Sequence, residues 1–536
     1  MIQTQDLSLS FGGQVLFEEV NVKFIQEHCY GLIGANGSGK STFLKILEGS
    51  VTPSNGSVSI DSNKRLAMLK QDQFAYDHLT VIQTVIYGYK ALYDIYKERS
   101  DLYEKDDLTD DEGERIGELE TLFADMDGYN AESDAAIMLS ELGIPESIHD
   151  TLMKDCEPNQ KIKALLAQAL FGNPDILLLD EPTNQLDYTT VLWLENFLLN
   201  FQNTVIVISH DRHFLNKVCT HIADLDYKQI NIYTGNYDFW EKTSQLALQQ
   251  KKDTQKKQLD KIKELEDFVR RFSANASKSK QATSRKKLIE KLRPEDIQAS
   301  SRRSPFIQFK PNRPTGDNVL TVKNLSHSIE GDTLLNDVSF KLEKKDKLAI
   351  IGKNALSKTT LLELLSGKVT PESGTITWGS TTSQELFPKD NAPFFENELN
   401  LFDWLNQYME KNDDQVIRGL LGRMLFSGDE VFKSTSVLSG GEKARAMFSK
   451  MMLSEANVLL FDEPTDHLDL ESISSLNEGL IKFPEIICVT SHDFQLLNTV
   501  TNKVLEVGPK GMIFVECSFE SYIKNESLKT KRQNLY

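Results

Sequence analysis

A glycine-rich run near the N-terminus has the residue types and the spacing that bind nucleotide phosphates. Residues 34–41 read Gly-Ala-Asn-Gly-Ser-Gly-Lys-Ser, which satisfies the pattern G-x-x-x-x-G-K-[ST] in full. In such a loop, backbone N–H groups surround the phosphates, the lysine reaches the terminal ones, and the following hydroxyl binds Mg²⁺. The run therefore predicts a phosphate-binding loop.

A degenerate copy of this loop follows at residues 352–360, and further motifs repeat with it. Each loop lysine lies 16 residues before a glycine, and each half later has an apolar run ending in Asp-Glu-Pro-Thr. Ser-His-Asp follows in both halves, with its histidine 30 residues after the Asp of that motif. Repetition of a whole ordered set predicts two tandem nucleotide-hydrolysing units. The repeated residues are Lys40, Asp180, Glu181 and His210 in the first half and Gly352, Asn354, Lys358, Thr359, Asp462, Glu463 and His492 in the second.

The elements around these motifs predict an α/β fold. Buried strands at Tyr30–Ile33 and Leu348–Ile351 run directly into the two loops, and a helix follows each loop. Later apolar strands end in the acidic pairs, which favours a largely parallel core sheet. We expect one domain at residues 1–237, a linker at 238–317, and a second domain at 318–536 with a short basic tail.

Bulk composition is that of a water-soluble protein. The 536 residues are 40% hydrophobic and 26% charged, and no apolar stretch approaches the ~18 residues of a membrane span. The N-terminus lacks the pattern of a signal peptide, and five scattered cysteines predict neither a zinc site nor disulfides. We therefore expect a cytoplasmic protein with no membrane insertion.

Two segments do not belong to the repeat. The first half carries 36 extra residues, which we place in a helical arm at about 88–134; residues 88–135 hold 16 Asp+Glu against 5 Lys+Arg. A solvated helix pair and a protein-docking surface are both compatible with that composition.

The linker is basic in a chain whose net charge is −19, since residues 245–310 hold 18 Lys+Arg against 8 Asp+Glu. Apolar residues at helical spacing predict a helical hairpin whose first helix spans residues 237–272. Its basic residues suit contact with RNA phosphates, although a solvated coiled coil is the plainer alternative. The candidate RNA-binding residues are Arg270, Arg271, Lys278, Lys280, Arg285, Lys286 and Lys287.

Together with these motifs, Leu-Ser-Gly-Gly-Glu at residues 438–442 resembles the ATP-binding cassette superfamily. Tandem cassettes with an acidic arm and a basic linker resemble its ABC-F subfamily. The runs Phe268–Arg285 and Phe171–Asp180 look like the YbiT-like branch. The resemblance implies that the two cassettes close on two ATP molecules. Each ATP would lie between the phosphate loop of one cassette and the Leu-Ser-Gly-Gly loop of the other. It also implies ribosome binding near the tRNA exit site, with the linker reaching toward the peptidyl-tRNA.

The resemblance assigns a role to each matching residue of the first site. Phe11 would stack on adenine, Gln71 would sense metal and water, Glu181 would polarise the attacking water, and His210 would contact the γ-phosphate. Ser41 and Asp180 would hold Mg²⁺. The phosphates would be held by Gly34, Ala35, Asn36, Gly37, Ser38, Gly39, Lys40, Ser41 and Thr42, with Ser439, Gly440 and Gly441 from the other cassette.

The second site departs from the pattern at several positions, and each departure makes nucleotide binding or hydrolysis there less favourable. Ile329 stands where Phe11 stands in the first half, and Lys389 matches Gln71. Ala355 and Ser357 replace two loop glycines, and their Cβ atoms disfavour positive φ. The opposing loop reads Cys-Glu-Pro-Asn-Gln at residues 156–160 in place of Leu-Ser-Gly-Gly.

These observations favour an Mg²⁺-dependent ATPase that acts as an ATP-gated, ribosome-binding translation factor with one competent site. The linker would meet rRNA or tRNA, and the acidic arm would meet a ribosomal protein. Two alternatives stay open: the energising subunit of a transporter with a separate membrane partner, and a chiefly non-hydrolytic nucleotide switch.

Overall fold

The computed structural model describes the chain except for residues 71, 106–108, 185, 273–283, 286, 291–301, 330 and 410–412. Within the described part, no helix is long and apolar enough to cross a membrane.

In the described part of the first half, ten strands and eight α-helices precede the linker. The strands are β1 Ile2–Phe11, β2 Gln14–Val20, β3 Lys23–Phe24, β4 Cys29–Gly34, β5 Asn55–Ile60, β6 Leu66–Met68, β7 Ile176–Asp180, β8 Thr204–Ile208, β9 His221–Asp226 and β10 Gln229–Thr234. The helices are α1 Lys40–Glu48, α2 Val81–Ile86, α3 Lys90–Tyr103, α4 Asp110–Asp125, α5 Ala131–Glu141, α6 Pro158–Leu170, α7 Tyr188–Asn200 and α8 Arg212–Val218. The linker begins with α9, Tyr237–Phe272.

The second half repeats this order. Its strands are β11 Leu320–Ile329, β12 Asp332–Leu342, β13 Lys347–Ile351, β14 Ser373–Trp378, β15 Gln384–Phe387, β16 Val458–Asp462, β17 Ile486–Thr490, β18 Lys503–Gly508 and β19 Gly511–Val515. Its helices are α10 Ala355–Ser366, α11 Leu401–Asn406, α12 Asp414–Arg423, α13 Gly440–Ser454, α14 Leu470–Lys482, α15 Phe494–Val500, α16 Phe519–Lys524 and α17 Glu526–Leu535.

Each half is built on a six-stranded, mostly parallel sheet. The strand orders are β10-β9-β4-β8-β7-β6 and β15-β16-β17-β13-β18-β19. Within the residues that the structure describes, β10 and β19 pair antiparallel to their neighbours and the other strands pair parallel. A smaller antiparallel sheet around β1 or β11 completes each half. The predicted fold class, two tandem mixed α/β domains with a linker between them, is confirmed. Because parallel strands end at one edge, this topology brings the two phosphate loops and the acidic strand ends together within their halves.

Aspartate caps fix where the functional helices start. Asp187 and Asp211 accept backbone N–H groups at the starts of α7 and α8, and Asp469 and Asp493 do the same for α14 and α15. Such caps satisfy donors that a helix leaves unpaired at its first turn. The loops that follow each acidic pair and each Ser-His-Asp motif therefore end at defined points.

The arm is a pair of helices, α3 and α4, within the segment at 88–134. Arg115 bonds Glu98 at 2.7 Å and Arg99 bonds Glu120 at 2.6 Å, which ties the two helices together. These pairs use two of the arm's few cations internally, so the outward charge stays acidic.

The linker helix α9 spans the residues that the sequence suggested, whereas the hairpin loop falls largely outside the described residues. From residue 302 onward the chain is described again, and there it is fixed to the second half. Ile307 and Phe309 join its core, and Thr315 donates to Glu485.

The halves exchange one side chain each. Tyr188 and Leu470 both lie eight residues after the aspartate that ends their strand. Leu470 packs in the core of the first half, while the ring of Tyr188 stacks on Phe494 of the second at 5.7 Å. The contact is therefore reciprocal, as in a two-fold symmetric interface.

Candidate functional site

The first phosphate loop has an open, glycine-dependent backbone. Gly37 and Gly39 have φ of +77° and +101°, a region that glycine enters without the penalty of a Cβ. The ammonium of Lys40 donates to the carbonyls of Gly34 at 2.8 Å and Ala35 at 3.1 Å. Among the described residues, the buried hydroxyl of Ser38 has no hydrogen-bond partner. This loop fits a triphosphate, because its polar groups face a space in which a Cβ on Gly37 would meet nothing within 4 Å.

Ser41 and Asp180 lie together beside this loop. Asp180 ends β7, and burial raises its pKa while a hydrogen bond from Ser41 and the charge of Lys40 lower it. One carboxylate and one hydroxyl suit Mg²⁺, which takes few protein ligands and completes its shell with water and phosphate oxygens. The two residues fit the metal that the sequence predicted for them.

Glu181 and His210 form the next pair. The Nε2 atom of His210 lies 3.3 Å from Glu181 Oε1, and the backbone N–H of His210 donates to Oε2 at 3.2 Å. Burial, followed by the charge of Asp180, raises the pKa of Glu181 to about 7. Burial, followed by the charge of Lys40, lowers the pKa of His210 to about 4. A carboxyl that ionises near neutrality beside a neutral imidazole is suited to receive a proton.

The second cassette supplies the opposite wall. Ser439 caps the 15-residue helix α13, and its backbone N–H donates to Glu442 at 2.7 Å. The start of this helix borders the same cleft as residues 35–37. Asn36 also donates to the carbonyl of His467 at 3.3 Å, which joins the two cassettes directly. The cleft is about 1910 Å³ and is lined by both phosphate loops, by Ser439, Gly440 and Gly441, and by Glu157 to Asn159. A helix N-terminus favours anionic ligands.

The remaining predicted residues of the first site are placed around this centre. Phe11 ends β1 with an exposed ring, 57% accessible, as a stacking platform requires. Thr42 lies in α1, directly after Ser41. Gln71 lies outside the described residues.

The second phosphate loop has a different backbone. Helix α10 begins at Ala355, three residues earlier in the pattern than α1, and so runs through the positions of the loop glycines. Asn354 caps it by accepting the N–H of Leu356 at 2.8 Å. Without glycines the chain favours helix here, and the side chain of Asn354 uses the N–H of Leu356.

Its charged residues are paired with one another. Lys358 donates to Glu463 at 3.1 Å, Thr359 donates to Asp462 at 2.7 Å, and His492 Nε2 lies 3.1 Å from Glu463. Burial opposes ionisation of Glu463, but the charges of His492 and Lys358 keep its pKa below the usual value. The two matching glutamates therefore differ: Glu181 titrates near neutrality, whereas Glu463 is held as an ion.

Two further features set the second site apart from the first. The hydroxyl of the C-terminal Tyr536 accepts the N–H of Lys353 at 3.0 Å, and the Lys353 ammonium lies 4.2 Å from the centre of its ring. Glu157 occupies the cap of α6, where Ser439 stands in the other cassette, and its charge opposes an anion at that helix start.

The RNA candidates are only partly described. Arg270 is exposed and pairs with Asp267 at 2.7 Å, and Lys287 is exposed. Arg271 lies in α9, and Arg285 is the second of two helical residues after the loop. The predicted contacts at Lys278, Lys280 and Lys286 lie outside the described residues.

Several contacts around the two phosphate loops were not predicted from sequence, namely those of His467, Tyr536 and Arg302. His467 lies in the loop after the second acidic pair. This loop follows the acidic pair at the same distance in both halves, and that repeat was the available signal. Tyr536 and Arg302 follow the two cassettes at unrelated distances, so no repeat could have indicated them.

Comparisons with known proteins agree with this geometry. The family model described as "ABC transporter" matches residues 17–184 and 335–466, and a second model with the same description matches residues 223–309. "Uncharacterized ABC transporter ATP-binding protein YkpA" of Bacillus subtilis is 53% identical over 100% of both chains. "Probable ATP-binding protein YbiT" of Escherichia coli is 43% identical over 99% of this chain and 100% of its own.

Solved structures share the fold. "RNase-L Inhibitor" superposes with a TM-score of 0.60 at 17% identity, covering 98% of this chain and 93% of its own. The archaeal ribosome recycling factor aABCE1, in complex with a ribosomal stalk protein, has a TM-score of 0.59 at 17% identity, over 97% of this chain and 91% of its own.

Fold and site together define a tandem ATP-binding cassette protein with its two nucleotide-binding domains on one chain. The chain belongs to the ABC-F family of these ATPases, as its resemblance to the YbiT-like branch predicted.

Proposed function

We propose that this protein is an ATP-gated, ribosome-binding translation factor that hydrolyses ATP mainly at its first composite site. By first composite site we mean the phosphate loop at residues 34–42 with Asp180, Glu181 and His210, closed by residues 439–441. The observation that carries the proposal is the contrast between the two loops. One has positive φ at Gly37 and Gly39, whereas the other is helical at the matching positions and its lysine is paired with Glu463.

In the proposed reaction, the chain's residues position ATP and receive a proton. Lys40 and the loop N–H groups bind the phosphates, and Ser41 with Asp180 would hold Mg²⁺, which supplies positive charge to the phosphate oxygens when bound. Glu181 takes a proton from the attacking water as the bond from water oxygen to γ-phosphorus forms. The bond from that phosphorus to the bridging oxygen then breaks. His210, neutral at pH 7, donates an N–H to the γ-phosphate.

Closure of the cassettes follows from the same contacts. A ligand favours one conformation only by binding it more tightly than the other. Here the γ-phosphate would meet Ser439 and the start of α13 only when the cassettes are together. Hydrolysis removes that contact and allows the cassettes to separate.

The distribution of charge along the chain supports a ribosomal role. The linker is basic in an acidic chain and the arm is acidic, so the linker suits RNA and the arm suits a basic ribosomal protein. A structural neighbour is named as an archaeal ribosome recycling factor. A transporter subunit would not need a long basic helix between its cassettes.

Removing basic residues from the linker should weaken ribosome binding and its salt dependence. We expect replacement of Arg271, Lys278, Lys280 and Arg285 by Gln to lower the slope of log affinity against log salt by about three, since each phosphate contact releases about one counterion. The measurement is co-sedimentation with purified ribosomes in ATP over a salt series, in a Glu181→Gln background that holds ATP.

A matched control removes the same charge from the shaft of the helix. Lys256, Lys257, Lys261 and Lys263 lie exposed on α9, away from its loop. Their replacement by Gln should leave most of the slope intact, and neither set should change ATP affinity. Equal slopes in the parent and the loop variant would make the hairpin a solvated spacer.

Turnover should depend on pH through Glu181. Because its pKa is raised to about 7 and the base must be ionised, kcat/KM should fall about tenfold for each pH unit below 7 and level off above it. Steady-state phosphate release between about pH 6 and 8 measures this. A flat profile over that range would contradict the assignment of Glu181 as the base.

A further inference from the structure

The two ends of the linker meet at one buried aspartate beside the first phosphate loop. Asp224 lies in β9, where it pairs with Ile33, the residue before Gly34. Trp240, in the first turns of α9, donates its indole N–H to Asp224 Oδ2 at 3.1 Å. Arg302, after the hairpin, bonds Asp224 Oδ1 and lies with its guanidinium carbon 4.6 Å from the centre of the Trp240 ring. The outgoing and the returning chain are thus fixed at one point.

Arg302 also reaches the other cassette. Its Nη1 lies 3.3 Å from Oε1 of Glu471, in the first turn of α14. Glu471 follows His467 by four residues, and the carbonyl of His467 accepts from Asn36 of the first phosphate loop. A movement that took α14 away from the first cassette would therefore break both contacts together.

The surroundings shield this ion pair from solvent. The Arg302 side chain is only 10% exposed, and those of Asp224 and Glu471 are 12% and 15% exposed. Solvent screens such a cluster poorly, and a planar guanidinium serves two carboxylates and an aromatic face at once.

The second cassette contains a similar cluster without the cross-cassette bond. Arg532 bonds Glu506 at 2.8 Å and lies over the ring of Tyr522 at 5.4 Å. Glu506 and Tyr522 match Asp224 and Trp240 in the repeat. In the described part of the chain, no ion pair of Arg532 reaches the first cassette. Among the described residues, the bridging ion pair of this cluster therefore lies on the side of the first phosphate loop.

We propose that Arg302 is a positioning residue, a clasp that couples closure of the first composite site to the position of the linker. With the cassettes together, its guanidinium joins Asp224, Glu471 and the base of α9. When they separate, Arg302 loses Glu471 and the base of α9 loses this tie to α14, while Ile307 and Phe309 still hold the returning chain in the core of the second half. The proposal rests on the proposed function in one respect, that ATP drives closure.

The test is a double-mutant cycle with distance labels on the two cassettes and on exposed Leu259 of α9, in a Glu181→Gln background. Arg302→Ala and Glu471→Gln should each raise the ATP concentration for half-maximal closure about tenfold, and the double variant should do no more than either. Both should also reduce the ATP-dependent displacement of the Leu259 label. Arg302→Lys should restore part of the effect, since it keeps the charge but not the planar fork.

Arg532→Ala is the matched control, because it loses an ion pair and an aromatic contact within one cassette. It should lower thermal stability much as Arg302→Ala does, while ATP-driven closure changes less than about twofold. Glu471→Gln leaves Arg302 on Asp224 and Trp240, so it tests the bridge even if Arg302→Ala does not fold.

Equal effects of Arg302→Ala and Arg532→Ala on ATP-driven closure would overturn this proposal for Arg302. Additive effects of Arg302→Ala and Glu471→Gln on closure would overturn it as well. If the parent with native Arg302 does not close in ATP, the proposed function fails separately. The clasp is then judged on the thermal-stability cycle, where Arg302→Ala and Glu471→Gln must again be non-additive.

Discussion

Glu181→Gln should lower the ATP turnover of this protein about a hundredfold or more, whereas Glu463→Gln should lower it less than about threefold. The two glutamates match in the repeat, but only Glu181 lies in a site with an open phosphate loop and a pKa near neutrality. The pKa of Glu463 lies below its usual value and its carboxylate is paired with the buried Lys358, so it is a poor proton acceptor. Steady-state phosphate release from the two single variants measures the difference.

Stability should respond in the opposite order. Burial raises the pKa of Glu181, so its ionised form opposes folding, and a neutral Gln should be tolerated above pH 7. Glu463→Gln leaves the buried Lys358 without its partner and should cost about 3 kcal/mol in the free energy of unfolding. Denaturant unfolding beside the turnover assay separates loss of catalysis from loss of fold. Equal losses of turnover in two folded variants would contradict the asymmetry.

The sequence predicted the fold because its motifs stand at strand ends. Apolar runs in the sequence indicate the bounds of the strands that end at Gly34 and at Asp180. A parallel topology then brings the ends of these strands together. The helix at residues 237–272 was equally readable, from apolar residues at three- and four-residue spacing.

The sequence indicated that the second loop is defective, but not the structure it adopts. Ala355 and Ser357 argue against positive φ, yet only the structure has α10 extended through the loop and capped by Asn354. Propensity alone rarely fixes a helix start, because a cap and tertiary contacts decide it. Tyr536 is such a contact, and it lies 183 residues along the chain from the Lys353 N–H that it accepts.

Contacts between the cassettes were the least predictable part of the site. They join residues far apart in sequence, such as Asn36 with His467, and depend on the relative placement of whole domains. The exchange of Tyr188 and Leu470 was readable in principle, since both follow their acidic pair at equal distance. From the sequence alone, Tyr188 and Leu470 would be predicted to pack in the core of their own halves. Their contact with the other half is evident only once the facing surface is known.

Ser439→Arg should abolish ATP-dependent closure while ATP still binds the first cassette. In the wild type, Ser439 caps α13 and leaves the helix start facing the first phosphate loop across the cleft. An Arg there loses the cap, at a cost of about 1 kcal/mol, and fills the space through which the γ-phosphate approaches the helix N–H groups. Because that contact supplies the differential affinity of the closed state, the closure constant should fall about a hundredfold.

The chain offers a matched control at the facing loop of the other site. Glu157 caps α6 at the position that corresponds to Ser439. Glu157→Arg therefore makes the equivalent change at the other site, where the phosphate loop is helical. Closure followed by distance labels on the two cassettes should be lost in Ser439→Arg and retained in Glu157→Arg. ATP affinity should be close to the parent's in both, since residues 34–42 are untouched. Retained closure in Ser439→Arg would mean that the γ-phosphate acts through other contacts, and equal loss in both variants would mean that the second site gates the protein as strongly as the first.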